Sequence, residues 1–100
     1  MLVFAHRGMK NEMPENTIQA FRKAFFCGFG IEFDVRMAMD KKAVVIHDRN
    51  PWRVAGERRN VSLMTLAELR MLDVGSHLDS QFVNIGIPTL EEVCELIVND

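Results

Sequence analysis

A run of strand-forming residues, Ile31 to Met37, carries a charge at every second position, and no other feature restricts the fold of this chain as tightly. Period-two alternation sends Ile31, Phe33, Val35 and Met37 to one face of a strand and Glu32, Asp34 and Arg36 to the other. One face needs apolar cover; the other needs water, a counter-charge or a ligand. A short strand, Leu2 to His6, precedes this run. Between them Asn16 or Thr17 can cap a helix in which Ile18, Phe21, Ala24 and Phe25 share a face, and Gly28 ends it. Strand, helix and strand in that order describe a mainly parallel sheet with helices packed outside. Composition permits such packing: 48% of the 100 residues are hydrophobic and 26% charged, which suits one compact unit.

After Met37 the chain turns back. Asp40-Lys41 reads as a two-residue loop, and Ala43 to His47 as the returning strand. Met39 then faces Lys42, and in the same register Asp34 lies directly across from His47, roughly 5 Å away between Cβ atoms. Glu32 follows on that face, about 6.5–7 Å from Asp34 along the strand. From Asp48 to Gly86 the pattern is irregular and cap-like, with one short helix expected where Thr65 and Glu68 match a capping box. Thr89 and Glu92 match a second box, opening an amphipathic helix with Leu90, Val93, Cys94 and Ile97 on one face.

Several function classes fall away. The net charge of -2 contains no long run of either sign, which argues against non-specific nucleic-acid binding. Leu2 to Ala5 is too short for a signal-peptide core or a membrane span. Cys27 and Cys94 lie in helical patterns and read as two buried free thiols in a reducing cytoplasm rather than a disulfide.

Two carboxylates on one strand face can hold a hard cation such as Mg²⁺ or Ca²⁺ with water completing the shell, although a solvated strand face shows the same pair. His6 stands at the end of the first strand, where parallel β/α sheets collect ligands, or else merely caps a strand edge. Arg7 is either a surface charge or a bidentate phosphate clamp. Gly8 would let the backbone turn close to a bound anion. His77 lies far from any carboxylate pattern and takes no role. An acid, a base, a phosphate clamp and a cation are together what metal-assisted attack on a phosphodiester needs.

The motifs "HRG", "PENT", "EFDV", "VVIHD" and "IPTLEEV", in this order and spacing along the whole chain, resemble those of the glycerophosphodiester phosphodiesterase family. The resemblance implies an α/β fold: the N-terminal portion of a TIM (β/α)8 barrel of the phospholipase-C-like phosphodiesterase type. Residues 1–47 would be the first barrel units, 48–86 a small cap insertion and 87–100 a barrel helix. It implies hydrolysis of glycerophosphodiesters to an alcohol and glycerol phosphate, with a divalent cation, Mg²⁺ or Ca²⁺. Carried over by motif, His6 and His47 would be the acid/base pair, with their order left open. Arg7 would bind phosphate, Glu32 and Asp34 would bind metal, and Glu15 and Asn16 would brace the site and cap the first helix.

Two departures accompany the resemblance. "MDKKA" stands where family members usually carry an Asp-Gly turn, and the family's third metal carboxylate and a later lysine belong to strands beyond Asp100. A TIM barrel takes about 250 residues. The isolated chain is therefore expected to bind the cation weakly, to self-associate and to show little turnover. Two other readings stand beside this one. The chain could come from a related phospholipase C- or D-type phosphodiesterase, or be a non-catalytic remnant acting as a binding or oligomerising module, since open barrel edges need cover.

Overall fold

The computed structural model describes residues 4–8 and 12–99; Leu2 and Val3 of the expected first strand, and Met9 to Asn11 of the loop after it, lie outside these. Strand β1 (Phe4–His6), helix α1 (Ile18–Phe26) and strand β2 (Gly30–Glu32) form the expected unit. The strands run parallel, with Ala5 aligned with Ile31 and His6 with Glu32. Thr17, rather than Asn16, caps α1: its extended backbone leaves Oγ1 free to accept from Ala20 N at 3.2 Å. Asn16 instead takes a left-handed conformation (φ 55°) just before the helix.

Helix α1 buries Ala20, Phe21 and Ala24, and the Phe21 ring lies 5.7 Å from that of Phe33. Gly8 sits under this face at φ 71°. A Cβ there would come 2.5 Å from Phe21 Cδ1 and 2.9 Å from Cε1. Helix α1 thus passes close to the Gly8 backbone.

The run expected as a single strand divides at Phe33-Asp34. Residues 30–32 pair with β1, whereas β3 (Val35–Met37) pairs antiparallel with β4 (Ala43–Val45). A two-stranded ribbon twists more strongly than a broad sheet, and each half follows its own partner. The hairpin register also differs by one residue from the expected one: Val35 faces Val45, and Ile46 N donates to Asp34 O at 2.9 Å, so Asp34 meets Ile46 and not His47. The loop is the cause. A two-residue type I′ turn needs positive φ at both central residues; here Lys41 has it (63°) and Asp40 does not. Ala38 O accepts from Lys41 N, and Ala38 N donates to Lys42 O at 2.9 Å, making a three-residue loop over Met39, Asp40 and Lys41.

Strand β4 is covered on both sides, as a strand at the middle of a fold should be. Val44 and Ile46 enter one core with Val61, Met64 and Leu69 from the cap and with Ile87 just after it, while Val45 enters another with Phe21 and Val93. The cap holds α2 (Trp52–Ala55), which the sequence pattern did not reveal, and α3 (Leu66–Arg70), which carries the expected capping box. The chain then returns to β4, where Val45 N donates to Pro88 O at 2.9 Å and Val44 bridges Thr89. Helix α4 (Leu90–Asn99) follows, and Thr89 and Glu92 form the second expected box.

Helix α4 buries Val93 and turns Cys94 outward; Cys27, at the end of α1, is likewise exposed and free. The cysteines are therefore surface thiols and not core groups, because each falls off the packed stripe of its helix. Val35 and Met37 are also exposed, at 46% and 54%, so only the Ile31 and Phe33 half of the alternating run reaches a core. Among the described residues no helix is long and apolar enough to cross a membrane.

Candidate functional site

The β1–β2 register sets His6 beside Glu32, with 3.6 Å between Nε2 and Oε2. Arg7, next along the chain, turns inward from a left-handed backbone position (φ 53°). Its Nη1 donates to Glu15 Oε2 at 3.2 Å, and its Nε lies 3.5 Å from Asp34 Oδ2. Asn16 donates from Nδ2 to the same Asp34 oxygen at 3.0 Å. The left-handed bend at Asn16 comes just before the cap of α1, and Arg7 O accepts from Asn16 N at 2.8 Å. The "HRG" and "PENT" segments are thus tied together by backbone before any side chain contributes.

Two polar side-chain atoms here, Arg7 Nε and Asn16 Oδ1, are buried with no hydrogen-bond partner among the described residues. Such orphans are rare in folded proteins, and a donor and an acceptor both left open beside one carboxylate are what a ligand-binding site leaves waiting.

His47 lies two residues beyond the end of β4. Its Nδ1 lies 2.7 Å from Asp48 Oδ1, and its backbone carbonyl accepts from Arg36 Nε at 2.8 Å. Bonds from Arg53 hold the Asp48 carboxyl down to about 2, against the raising effect of burial, with the His47 bond helping. At neutral pH Asp48 is therefore ionised and can only accept, so Nδ1 carries the hydrogen and Nε2 is left to take or give a proton. Burial alone would raise Glu15, but the bonds from Arg53 and the charges of Arg53 and Arg7 outweigh it and hold that carboxyl below its ordinary value.

Arg53 on α2 joins these parts. It forks onto Glu15 at 2.8 and 2.7 Å and reaches both Asp48 oxygens, at 2.9 and 3.2 Å. Asp34 and His47, expected to face one another, are instead linked through Arg7, Glu15, Arg53 and Asp48. Glu15, Asn16 and His47 also line one small void of about 10 Å³. An apolar depression of about 620 Å³ lies at Phe25, Phe26, Phe29 and Ile97, with none of these groups in its lining. We place the site at the charged network, where the reactive side chains are. His77 is exposed in the cap.

Sequence reasoning missed Asp48 and Arg53. Asp48 stood next to a candidate histidine and could have been weighed as its partner. Arg53 gave no signal, since a lone basic residue in an irregular segment reads as a surface charge.

Glu32, Asp34 and the open Asn16 oxygen are hard oxygen donors, which fits Mg²⁺ or Ca²⁺ in kind. They fall short in number: among the described residues no three His, Cys, Asp or Glu side chains are grouped to hold a metal ion. The arrangement offers part of a coordination shell.

Known proteins resemble this chain over nearly its whole length. Residues 6–100 match the model of the glycerophosphoryl diester phosphodiesterase family. A glycerophosphodiester phosphodiesterase of Caldanaerobacter subterraneus is 45% identical over 97 residues, covering 96% of this chain and 40% of that protein. One from Bacillus altitudinis is 40% identical over 96 residues, covering 95% and 39%. Among solved structures, a glycerophosphodiester phosphodiesterase of Agrobacterium tumefaciens superposes with a TM-score of 0.93 at 33% identity, covering 97% of this chain and 42% of that one. An Oleispira antarctica phosphodiesterase in complex with the product sn-glycerol-3-phosphate does so with a TM-score of 0.93 at 34% identity, covering 99% and 40%. The chain therefore spans about two fifths of the length of these relatives, and its fold is the N-terminal portion of their TIM barrel.

Proposed function

Because the chain belongs to the glycerophosphoryl diester phosphodiesterase family, we propose that it contributes the acid/base and phosphate-binding half of an enzyme that hydrolyses glycerophosphodiesters to an alcohol and glycerol phosphate. The observation that carries this reading is the His47–Asp48 pair at 2.7 Å, which leaves one imidazole nitrogen free for proton transfer. His6 and His47 are the acid/base pair. One removes the proton of the attacking hydroxyl (of water or of the substrate's own glycerol) as its oxygen bonds to phosphorus. The other protonates the alkoxide as its bond to phosphorus breaks. Arg7, with its Nε unsatisfied, binds a phosphate oxygen, and Glu15 and Asn16 hold Arg7 and Asp34 in place. Glu32 and Asp34 would hold Mg²⁺ or Ca²⁺, which when bound neutralises charge on the phosphate. Free, exposed thiols at Cys27 and Cys94 support a reducing, cytoplasmic setting.

Turnover of glycerophosphocholine by the protein carrying this sequence, with Mg²⁺ or Ca²⁺ and with chelator, tests the reading. His6→Ala and His47→Ala should each cost about 10²- to 10⁴-fold, while His77→Ala leaves the rate unchanged. Equal losses at all three positions would mean that the histidines act through stability, and the assignment would be wrong.

A second reading draws on the exposed Phe4, Val35 and Met37 beside two unclosed strand pairs. The 100-residue chain by itself self-associates through these edges, binds the cation weakly and turns over little substrate. A monomer with steady turnover and micromolar metal affinity would refute this.

A further inference from the structure

Arg53 belongs to none of the motifs that carry the family resemblance, yet its guanidinium touches two carboxylates that serve the site from opposite sides. We propose that Arg53 is a positioning residue: it fixes the Asp48 carboxylate so that His47 keeps its hydrogen on Nδ1 and presents Nε2 to the substrate. The inference rests on the reading of His47 as one of the acid/base pair.

The geometry makes the case. Asp48 lies in the irregular stretch after β4, where no backbone ladder fixes its side chain. Among the described residues its carboxylate has two side-chain partners, His47 and Arg53. Free imidazole carries its hydrogen mainly on Nε2, so the Nδ1–H form depends on an acceptor held in place. Arg53 supplies that hold with Nε on Oδ2 and Nη2 on Oδ1, a fork that defines the plane of the carboxylate as a single contact could not. Its Nη1 and Nη2 also grip Glu15, whose side chain is only 10% exposed and is bonded by Arg7. The line Arg7, Glu15, Arg53, Asp48, His47 thus fixes the phosphate clamp and the histidine relative to each other. Lysine cannot replace it, because one ammonium cannot fork onto two carboxylates. Arg53 is itself 46% exposed, and an exposed pair adds little to stability. Orientation is therefore what a substitution should disturb.

Long-range ¹H–¹⁵N spectra of the labelled chain at about pH 8 read the tautomer directly. His47 should carry its hydrogen on Nδ1 in the parent protein. Arg53→Met and Arg53→Lys should both shift it toward Nε2–H. Arg59→Met, which removes an exposed clamp on Glu57 and Glu68 elsewhere in the cap, should leave it unchanged. Retention of Nδ1–H in the Arg53 variants, or an equal shift with Arg59→Met, overturns the proposal. If Arg53→Met does not fold, Arg53→Lys decides alone. In the active protein, Arg53→Lys should lower kcat about 10- to 100-fold, the range typical for loss of a group that orients a functional histidine. An unchanged kcat also overturns it. A His47→Ala variant with full turnover would sink the assignment of His47 as acid or base, whereas the tautomer spectra judge Arg53 independently.

Discussion

Adding one methyl group at Gly8 tests how the start of the barrel is packed. Two costs are separable. At φ 71° alanine occupies the left-handed region, which costs about 1–2 kcal/mol for an L-residue, partly offset by a less flexible unfolded chain, about 0.4–1 kcal/mol. The new Cβ would also lie 2.5 Å from Phe21 Cδ1 and 3.1 Å from Ala20 Cβ. Phe21 is fully buried and cannot swing away, so overpacking adds about 1–3 kcal/mol. Gly8→Ala should then destabilise the protein by about 2–4 kcal/mol in all. Phe21→Val ends the side chain at the γ carbons and removes both ring atoms in the way. In that background Gly8→Ala should cost only about 1 kcal/mol, the conformational part. The coupling in the double-mutant cycle is the packing clash itself, about 1–3 kcal/mol. Urea unfolding of all four proteins, in a common concentration of sucrose to keep the weakest folded, measures it, provided the slope with urea is unchanged. An equal cost in both backgrounds would refute the reasoning and leave Gly8 needed only for its backbone angle.

Lys41 takes φ 63° in the hairpin loop, so Lys41→Gly should stabilise by up to about 1 kcal/mol and Lys41→Val should destabilise, both read as shifts in the urea midpoint. Thr65→Ala and Thr89→Ala each remove a capping box and should each cost about 1 kcal/mol by the same measurement. Asp48, held at about 2 against an ordinary 3.8, is a group whose folded value lies below its unfolded one. Its contribution is complete above about pH 4 and fades as pH falls through 4 toward 2; thermal unfolding across that range should show a loss that Arg53→Met largely abolishes.

What could be read from sequence was what neighbours in the chain decide for themselves. The strand–helix–strand unit, the two capping boxes and the stop at Gly28 all depend on residues within a few positions, and all are found. The hairpin register depended on whether Asp40 would adopt positive φ. It does not, and one residue of slip moved Asp34 from His47 to Ile46. Cys94 and Ile97 shared a plausible helical face, but only packing against α1 and β4 decides which face is covered, and Val93 won. In the site, the motif residues were found one by one. Their wiring through Asp48 and Arg53 was hidden because it joins segments 38 positions apart.

The chain leaves β4 after Val45 and comes back to the same strand at Pro88 and Thr89. The cap's entrance and exit are therefore stitched together whatever lies between. Lengthening one of its exposed turns costs mainly the entropy of closing a loop, roughly 0.6 kcal/mol for each doubling, and leaves the spacing of the strands untouched. Sequence at the exposed turns of this region can grow or shrink, whereas Val61, Met64 and Leu69 cover Val44 and Ile46 and hold the rest of it to the frame. A polar tie is added by Arg53, which sits on the first helix of the excursion and reaches back to Glu15 and Asp48. A graft that replaced the cap would need to bring its own arginine to the same place.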